Sequence, residues 1–229
     1  VVYGLKHWAE GGSGAVAFAA VMAGVLVGLA FVRRQRRLAD PLVDLQLFSH
    51  ATFRAALTIN TLGFFVAFAS FLFVSQYLQL VLGLSPLQAG LWTVPSGLAF
   101  ALGSTVAPRL VRVLPAGRVV ACGLLAAAVG FAVMAQATRG DGPLLLVCAY
   151  TLLSLGLSFV FTLSVDLMVG AAPPERAGAA AAIQETSSEL GGALGIAMLG
   201  SLIVAIYRRT LGESVPGGLP AQVLEVARE

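Results

Sequence analysis

Along the chain, apolar residues gather into six stretches, at about residues 14–32, 55–82, 87–110, 119–138, 144–171 and 177–207. A helix needs about 20 residues to cross a hydrocarbon core, and each stretch comes close to that or exceeds it. The breaks between them hold residues that end helices or repel lipid. The first stretch stops at Arg33-Arg34-Gln35-Arg36-Arg37 and the second at Gly83-Leu84-Ser85-Pro86. The fourth stops at Arg139-Gly140-Asp141-Gly142-Pro143 and the fifth at Pro173-Pro174. Gly and Pro in such clusters mark turns. Pro95 falls inside the third stretch and predicts a kink there.

Charge sharpens this pattern. Residues 55–108 contain no Asp, Glu, Lys, Arg or His, and neither do residues 119–138 and 142–165. Buried strands of a soluble core average about 5–6 residues, far too short to explain such runs. Only 11% of the chain is charged and 58% is hydrophobic, whereas soluble domains are about 25% charged. The pattern predicts an all-α membrane protein with about six transmembrane helices.

The net charge of +3 does not point to nucleic acid, because the basic residues sit at membrane edges and are not interleaved with exposed aromatics. Cys122 and Cys148 form neither a CxxC nor a metal-ligand pair, and the predicted topology sets them near opposite faces, against a disulfide. His7 and His50 fall in loops with no second His or Cys nearby. No nucleophile–base pair, phosphate loop or metal-ligand spacing is present, so neither an enzyme nor a metal cofactor is expected. The chain opens at Val1 with no initiator Met or signal-like segment, and we expect it to be a portion of a longer polypeptide.

The organisation expected is a loop over 1–13, a transmembrane linker helix over 14–32, and a cytoplasmic basic loop with an amphipathic helix over 33–53. In that helix Asp40 suits the N-cap and Pro41 the first helical position. A bundle of five spans follows over 54–207, then an extracytoplasmic loop over 208–229. Placing the Arg33–Arg37 cluster inside puts nine basic residues on cytoplasmic segments, Arg54, Arg109, Arg112, Arg118 and Arg176 among them. Five fall outside: Lys6, Arg139, Arg208, Arg209 and Arg228. The excess follows the positive-inside rule, with the Arg208-Arg209 pair dissenting.

Acids within the spans carry the candidate chemistry. A carboxylate at mid-bilayer costs roughly 2.5–3.5 kcal/mol on insertion scales, so it is retained where it has a partner, a cavity or a task. Glu185 and Glu189 are four apart and share a helical face. At 1.5 Å per residue from Arg176 they lie about 13 and 20 Å into the membrane. Two like charges so close in low dielectric repel each other, and a proton or a cation bound between them would relieve that repulsion. Such a group can load a proton on one side and release it on the other, or hold a lipophilic cation when ionised. The bland alternative is a pair kept neutral or tied to an Arg elsewhere. Ser187, Gly191 and Gly195 form a second ladder pointing roughly the other way, a small-residue surface for close helix packing. Asp166, near the inner end of the fifth span, reads equally as a partner for an inner-face Arg and as a proton carrier. Asn60, Gln76 and Gln79 in the second span fit either a cavity lining or helix–helix hydrogen bonding.

Three stretches resemble the Major Facilitator Superfamily, and within it the fourteen-helix drug:proton antiporter family of QacA-type multidrug exporters. They are Pro41-Leu42-Val43-Asp44-Leu45-Gln46-Leu47-Phe48; Gln76-Tyr77-Leu78-Gln79 with Gly83 to Gly90 and Pro95; and Pro173 to Gly178 with Glu185-Thr186-Ser187-Ser188-Glu189-Leu190-Gly191-Gly192 and Gly195. The last is similar to the thirteenth helix of that family, and Glu185 and Glu189 occupy the places of its two acids. Gly103, Arg109, Gly117 and Arg118 resemble a degenerate copy of the superfamily's cytoplasmic-loop motif. The resemblance implies a C-terminal helical bundle covering helices eight to thirteen. It implies proton-coupled efflux of lipophilic, cationic drugs across the bacterial plasma membrane, with the proton gradient as energy source and no cofactor. The partners implied are a small-molecule substrate, protons, the lipid bilayer and the N-terminal half of the same polypeptide. Rival readings are a dedicated exporter of one metabolite, antibiotic or siderophore, and a non-transporting scaffold subunit. A channel is disfavoured by the lack of a repeated filter loop.

Overall fold

The structure, a computed structural model, describes residue 4 and residues 14–38, 46–137 and 142–214; side chains at 204, 205 and 207–214 fall outside the description. Expectations resting on Lys6, His7, the Asp40–Asp44 segment, Arg139, Asp141 and Arg228 lie outside the described residues. Every described regular element is helical: α1 (Gly14–Gln35), α2 (Ala51–Gln76), α3 (Pro86–Leu110), α4 (Ala116–Met134), α5 (Gly142–Gly170) and α6 (Ala177–Ser214). A 3-10 turn at Leu47–Ser49 precedes α2, and another at Pro174–Arg176 precedes α6. The expected all-α membrane architecture holds. Among the described residues four helical stretches, Gly14–Gln35, Ala51–Val81, Ala116–Met134 and Gly142–Gly170, are long and apolar enough to cross a membrane by length and composition alone. Polar and small residues dilute α3, and the two glutamates interrupt the first part of α6.

The chain divides into two compact units, Arg33–Gly195 and Val1–Val32 with Ile196–Glu229. The second contains α1, whose large apolar side chains, Phe18, Leu26, Val27 and Leu29 among them, are exposed. A helix apolar all round is the form that lipid selects.

Within the first unit α5 is the axis, packed by α2, α3 and α4. Its buried stripe runs from Leu146 through Tyr150, Leu153, Leu157 and Phe161 to Met168. At one end Leu146 and Tyr150 cluster with Val74 and Leu78 of α2 and Ala89 of α3. At the other, Met168 joins Leu47, Phe53, Ala56, Ala180 and Ile183. The start of α2 therefore meets the end of α5, and these two helices run antiparallel, whereas α3 runs parallel to α5. Close approach is made by glycine. A Cβ on Gly156 would strike the Gly123 carbonyl oxygen and would lie 2.6 Å from the Ala127 amide nitrogen, so α4 and α5 touch backbone to backbone. Phe161 fills the space between helices, its ring 4.3 Å from that of Phe64.

The helix ends follow from local chemistry. Arg54 donates to the carbonyls of Phe48 (2.8 Å) and Ser49 (3.2 Å), tying the 3-10 turn to the start of α2. α2 closes with a π-turn over Tyr77–Val81, and Gly83 then takes a left-handed φ of +69°. Ser85 and Gln88 form a reciprocal capping box with Pro86 in the first turn of α3, as the Gly-Leu-Ser-Pro break suggests. α3 runs on through Pro95 and Pro108 without interruption. α6 continues to Ser214, past the 207 boundary set by apolarity. Polarity ends a membrane span but not a helix, and Arg, Leu and Glu all sustain helical backbone.

Replacing Gly156 by Val should lower the stability of the detergent-solubilised full-length protein by about 1–3 kcal/mol, the usual cost of overpacking. Gly97→Ala, where a Cβ meets nothing within 4 Å, should leave the thermal unfolding midpoint unchanged or slightly raised, since Ala is the better helix former.

Candidate functional site

α6 is held against α2 through small residues. A Cβ on Gly191 would strike the Thr61 carbonyl oxygen, and one on Gly195 the Phe65 carbonyl oxygen; one on Gly192 would lie 3.0 Å from the Phe68 ring. The glycine ladder thus brings two backbones into contact, as its spacing suggests. A polar contact lies one turn earlier. Asn60, fully enclosed, donates from Nδ2 to Ser188 Oγ at 2.8 Å. Gln184 Nε2 donates to the same oxygen at 2.9 Å, and the Ser188 hydroxyl donates to the Gln184 carbonyl at 2.9 Å. The hydroxyl of Ser188 is thereby saturated: one proton given and both lone pairs engaged.

Asn60 Oδ1 is buried, and among the described residues nothing donates to it. The Ser188 proton is already committed, so turning the amide over would gain no donor. An unpaired buried acceptor costs about 1–3 kcal/mol, against about 0.5–1.5 kcal/mol gained by a typical hydrogen bond. Asn60 is therefore not the residue that stability alone would choose.

Glu185 and Glu189 are both exposed on α6, while Ile183, Ser188, Gly191 and Gly192 between and beside them are buried. Counting at 3.6 residues per turn, the acids stand roughly a quarter-turn from the packed stripe Gln184–Ser188–Gly191–Gly195. The sequence spacing puts a Ser187 ladder roughly opposite the acids. Ser187 is only half-buried, and Ser188 with Gln184 carries the contact instead. The acids therefore flank the α2 interface, beside Gly192 and the Phe68 ring, on a face that no described helix covers.

The other sequence candidates separate from this pair. Asn60 sits at the helix–helix interface, one of the two places its polarity allows. Gln79 folds back within its own helix, donating to the Ser75 carbonyl (3.2 Å) and hydroxyl (2.9 Å). Gln76 is exposed at the end of α2, just before the π-turn. Asp166 is exposed near the end of α5, and among the described residues no ion pair ties it to an arginine. It borders an open depression of about 430 Å³ shared with His50 and Thr52. Among the described residues no cluster of three or more His, Cys, Asp or Glu side chains is arranged to hold a metal. Cys122 and Cys148 are free thiols.

Sequence reasoning quoted Ser188 only as part of a motif and passed over Gln184. A polar residue four before a serine that is itself four before a glycine was the available signal. Its partner on α2, 128 residues away, left no mark in the spacing.

Comparison with known proteins places these elements. The sequence profile of the Major Facilitator Superfamily matches residues 6–196. The chain is 34% identical over its whole length to the multidrug efflux pump LfrA of Mycolicibacterium smegmatis, covering 45% of that protein. It is 30% identical to the methyl viologen resistance protein SmvA of Salmonella typhimurium over 93% of the chain and 42% of SmvA. It is 30% identical to the tetracenomycin C resistance and export protein of Streptomyces glaucescens over 80% of the chain and 37% of that protein. The chain thus spans less than half the length of these relatives.

Because Asp166 is exposed and unpaired, Asp166→Asn should move the unfolding free energy of the solubilised protein by no more than about 0.5 kcal/mol, as for other surface substitutions. Thermal unfolding measures it.

Proposed function

The chain belongs to the Major Facilitator Superfamily, and from that premise we propose that the complete protein exports lipophilic, cationic compounds in exchange for protons. Membership also makes the chain part of an integral protein of the bacterial plasma membrane. The observation that carries the proposal is the pair Glu185 and Glu189, exposed on one flank of α6 while α2 closes the adjoining flank.

Carboxylates at this depth are expensive unless water or a counter-charge reaches them. Within this chain their flank is left uncovered, free to line a cavity. In transporters of two-half construction the site lies between the halves near the midplane, and the rest of the polypeptide would supply the opposite wall. An ionised pair attracts a cation; a proton arriving from the outer side neutralises a carboxylate and releases that cation. Proton and substrate then compete for one site, which yields exchange when that site opens alternately to the two sides. The proton gradient supplies the energy, and no cofactor enters the cycle. Asp166, shallower and open to the depression it shares with His50, is placed to pass protons at the inner end of α5. The names of LfrA and SmvA support drug efflux, and methyl viologen, named for SmvA, is a cation.

A second reading is export of one dedicated compound, favoured by the similarity to the tetracenomycin C export protein. A panel of unrelated cations separates the two: transport of several favours the multidrug reading, transport of one the dedicated exporter.

With the full-length protein in liposomes loaded with a pH-sensitive dye, adding a cationic substrate should drive proton movement. The Glu185→Gln, Glu189→Gln double variant should fall to the level of empty liposomes. Undiminished proton movement in that variant would remove the pair from the mechanism.

A further inference from the structure

We propose that Asn60 is a positioning residue for the Glu185/Glu189 pair, acting through Ser188 to fix the rotation of α6 on α2. The inference rests on the antiport reading for its functional meaning, but not for its geometry.

Three observations carry it. The glycine contacts at Gly191, Gly192 and Gly195 bring α6 close to α2 but are apolar and smooth. They set distance and keep the glycine face of α6 on α2, leaving only small turns of one helix over the other open. The Asn60–Ser188 bond is the one interhelical side-chain hydrogen bond among the described residues of α2 and α6. It is directional, and with Ser188 saturated by Gln184 it admits a single arrangement. Finally, the unpaired Oδ1 makes Asn60 a poor choice for stability, while an apolar residue of similar volume would leave no orphan. A buried polar group kept against stability is best attested as a device for register.

The geometry says what register controls. Ser188 immediately precedes Glu189 and follows Glu185 by three, so even a small turn of α6 shifts the acids towards or away from the edge of α2. Among the described residues no ion pair holds the two acids. Residues 55–108, covering α2 beyond Arg54 and α3 as far as Arg109 in its last turn, contain no Asp, Glu, Lys, Arg or His. Arg54 is engaged with the carbonyls of Phe48 and Ser49. On α5 the described acid is Asp166, near the helix end. Glu175 and Arg176 lie before α6 begins.

The experiment uses the full-length protein in a background freed of cysteine, with Cys122→Ser and Cys148→Ser. Glu189→Cys is labelled with a membrane-impermeant thiol reagent, with and without Asn60→Leu. The labelling rate should change about five-fold, the population shift that loss of one net hydrogen bond produces. Thermal stability should not fall. In the parent carrying both glutamates, Asn60→Leu should also displace the pH midpoint of substrate-driven proton release by about 0.7 unit, the same free energy read as a titration. Ser188→Ala removes the same bond from the other side and should reproduce both changes. The double variant should add nothing to either single one, since coupled partners are not additive.

Unaltered labelling and pH midpoint in Asn60→Leu and Ser188→Ala would overturn the proposal, as would fully additive effects. Should Asn60→Leu fail to fold, Ser188→Ala alone decides. The labelling arm reads geometry only. Loss of the antiport reading, through a fully active Glu185→Gln, Glu189→Gln variant, is therefore distinguishable from loss of this one.

Discussion

In hydrocarbon, a polar group must find its partner within the protein, and the whole arrangement on α6 follows from how that demand is met. Backbone groups are met by helix formation, which explains why every described regular element is helical. Side chains are met unevenly. Ser188 is fully satisfied, Asn60 half satisfied, and Glu185 and Glu189 are left on an uncovered flank. α2 and α6 are joined by a hydrogen bond where the serine sits, and the described helices leave α6 uncovered where the acids sit.

Glycine makes this possible. At Gly191 and Gly195 the α6 backbone approaches α2 so closely that a methyl group would meet a carbonyl oxygen. At Gly123 and Gly156 the same device joins α4 to α5. In lipid, where apolar burial between helices gains little, such close packing is a principal source of association. The bundle can therefore be tight around α5 while α6 keeps one flank bare.

Much of this was legible in the chain. The charge-free runs gave the helices, and the Gly83–Pro86 break gave the turn that Ser85 and Gln88 cap. The Glu185/Glu189 spacing placed both acids on one flank. What escaped was whatever depends on a partner distant in sequence or on rotation about a helix axis. Ser187 and Ser188 are indistinguishable by composition, and only packing selects the second. Asn60 was ambiguous because a buried amide serves a cavity or a neighbouring helix equally well. The π-turn at Tyr77–Val81 was not foreseen from the apolar run that contains it. The continuation of α6 to Ser214 escaped because hydropathy reports the membrane boundary, and helical propensity reports something else.

The central claim is that the two glutamates change protonation when substrate arrives. Infrared difference spectroscopy on the full-length protein in lipid, recorded as a cationic substrate is added, reads it directly through the carboxylic-acid carbonyl stretch. The account predicts loss of a protonated-carboxyl band on substrate binding, absent from the Glu185→Gln, Glu189→Gln variant. A carboxyl spectrum indifferent to substrate, or a band that survives in that variant, would contradict it.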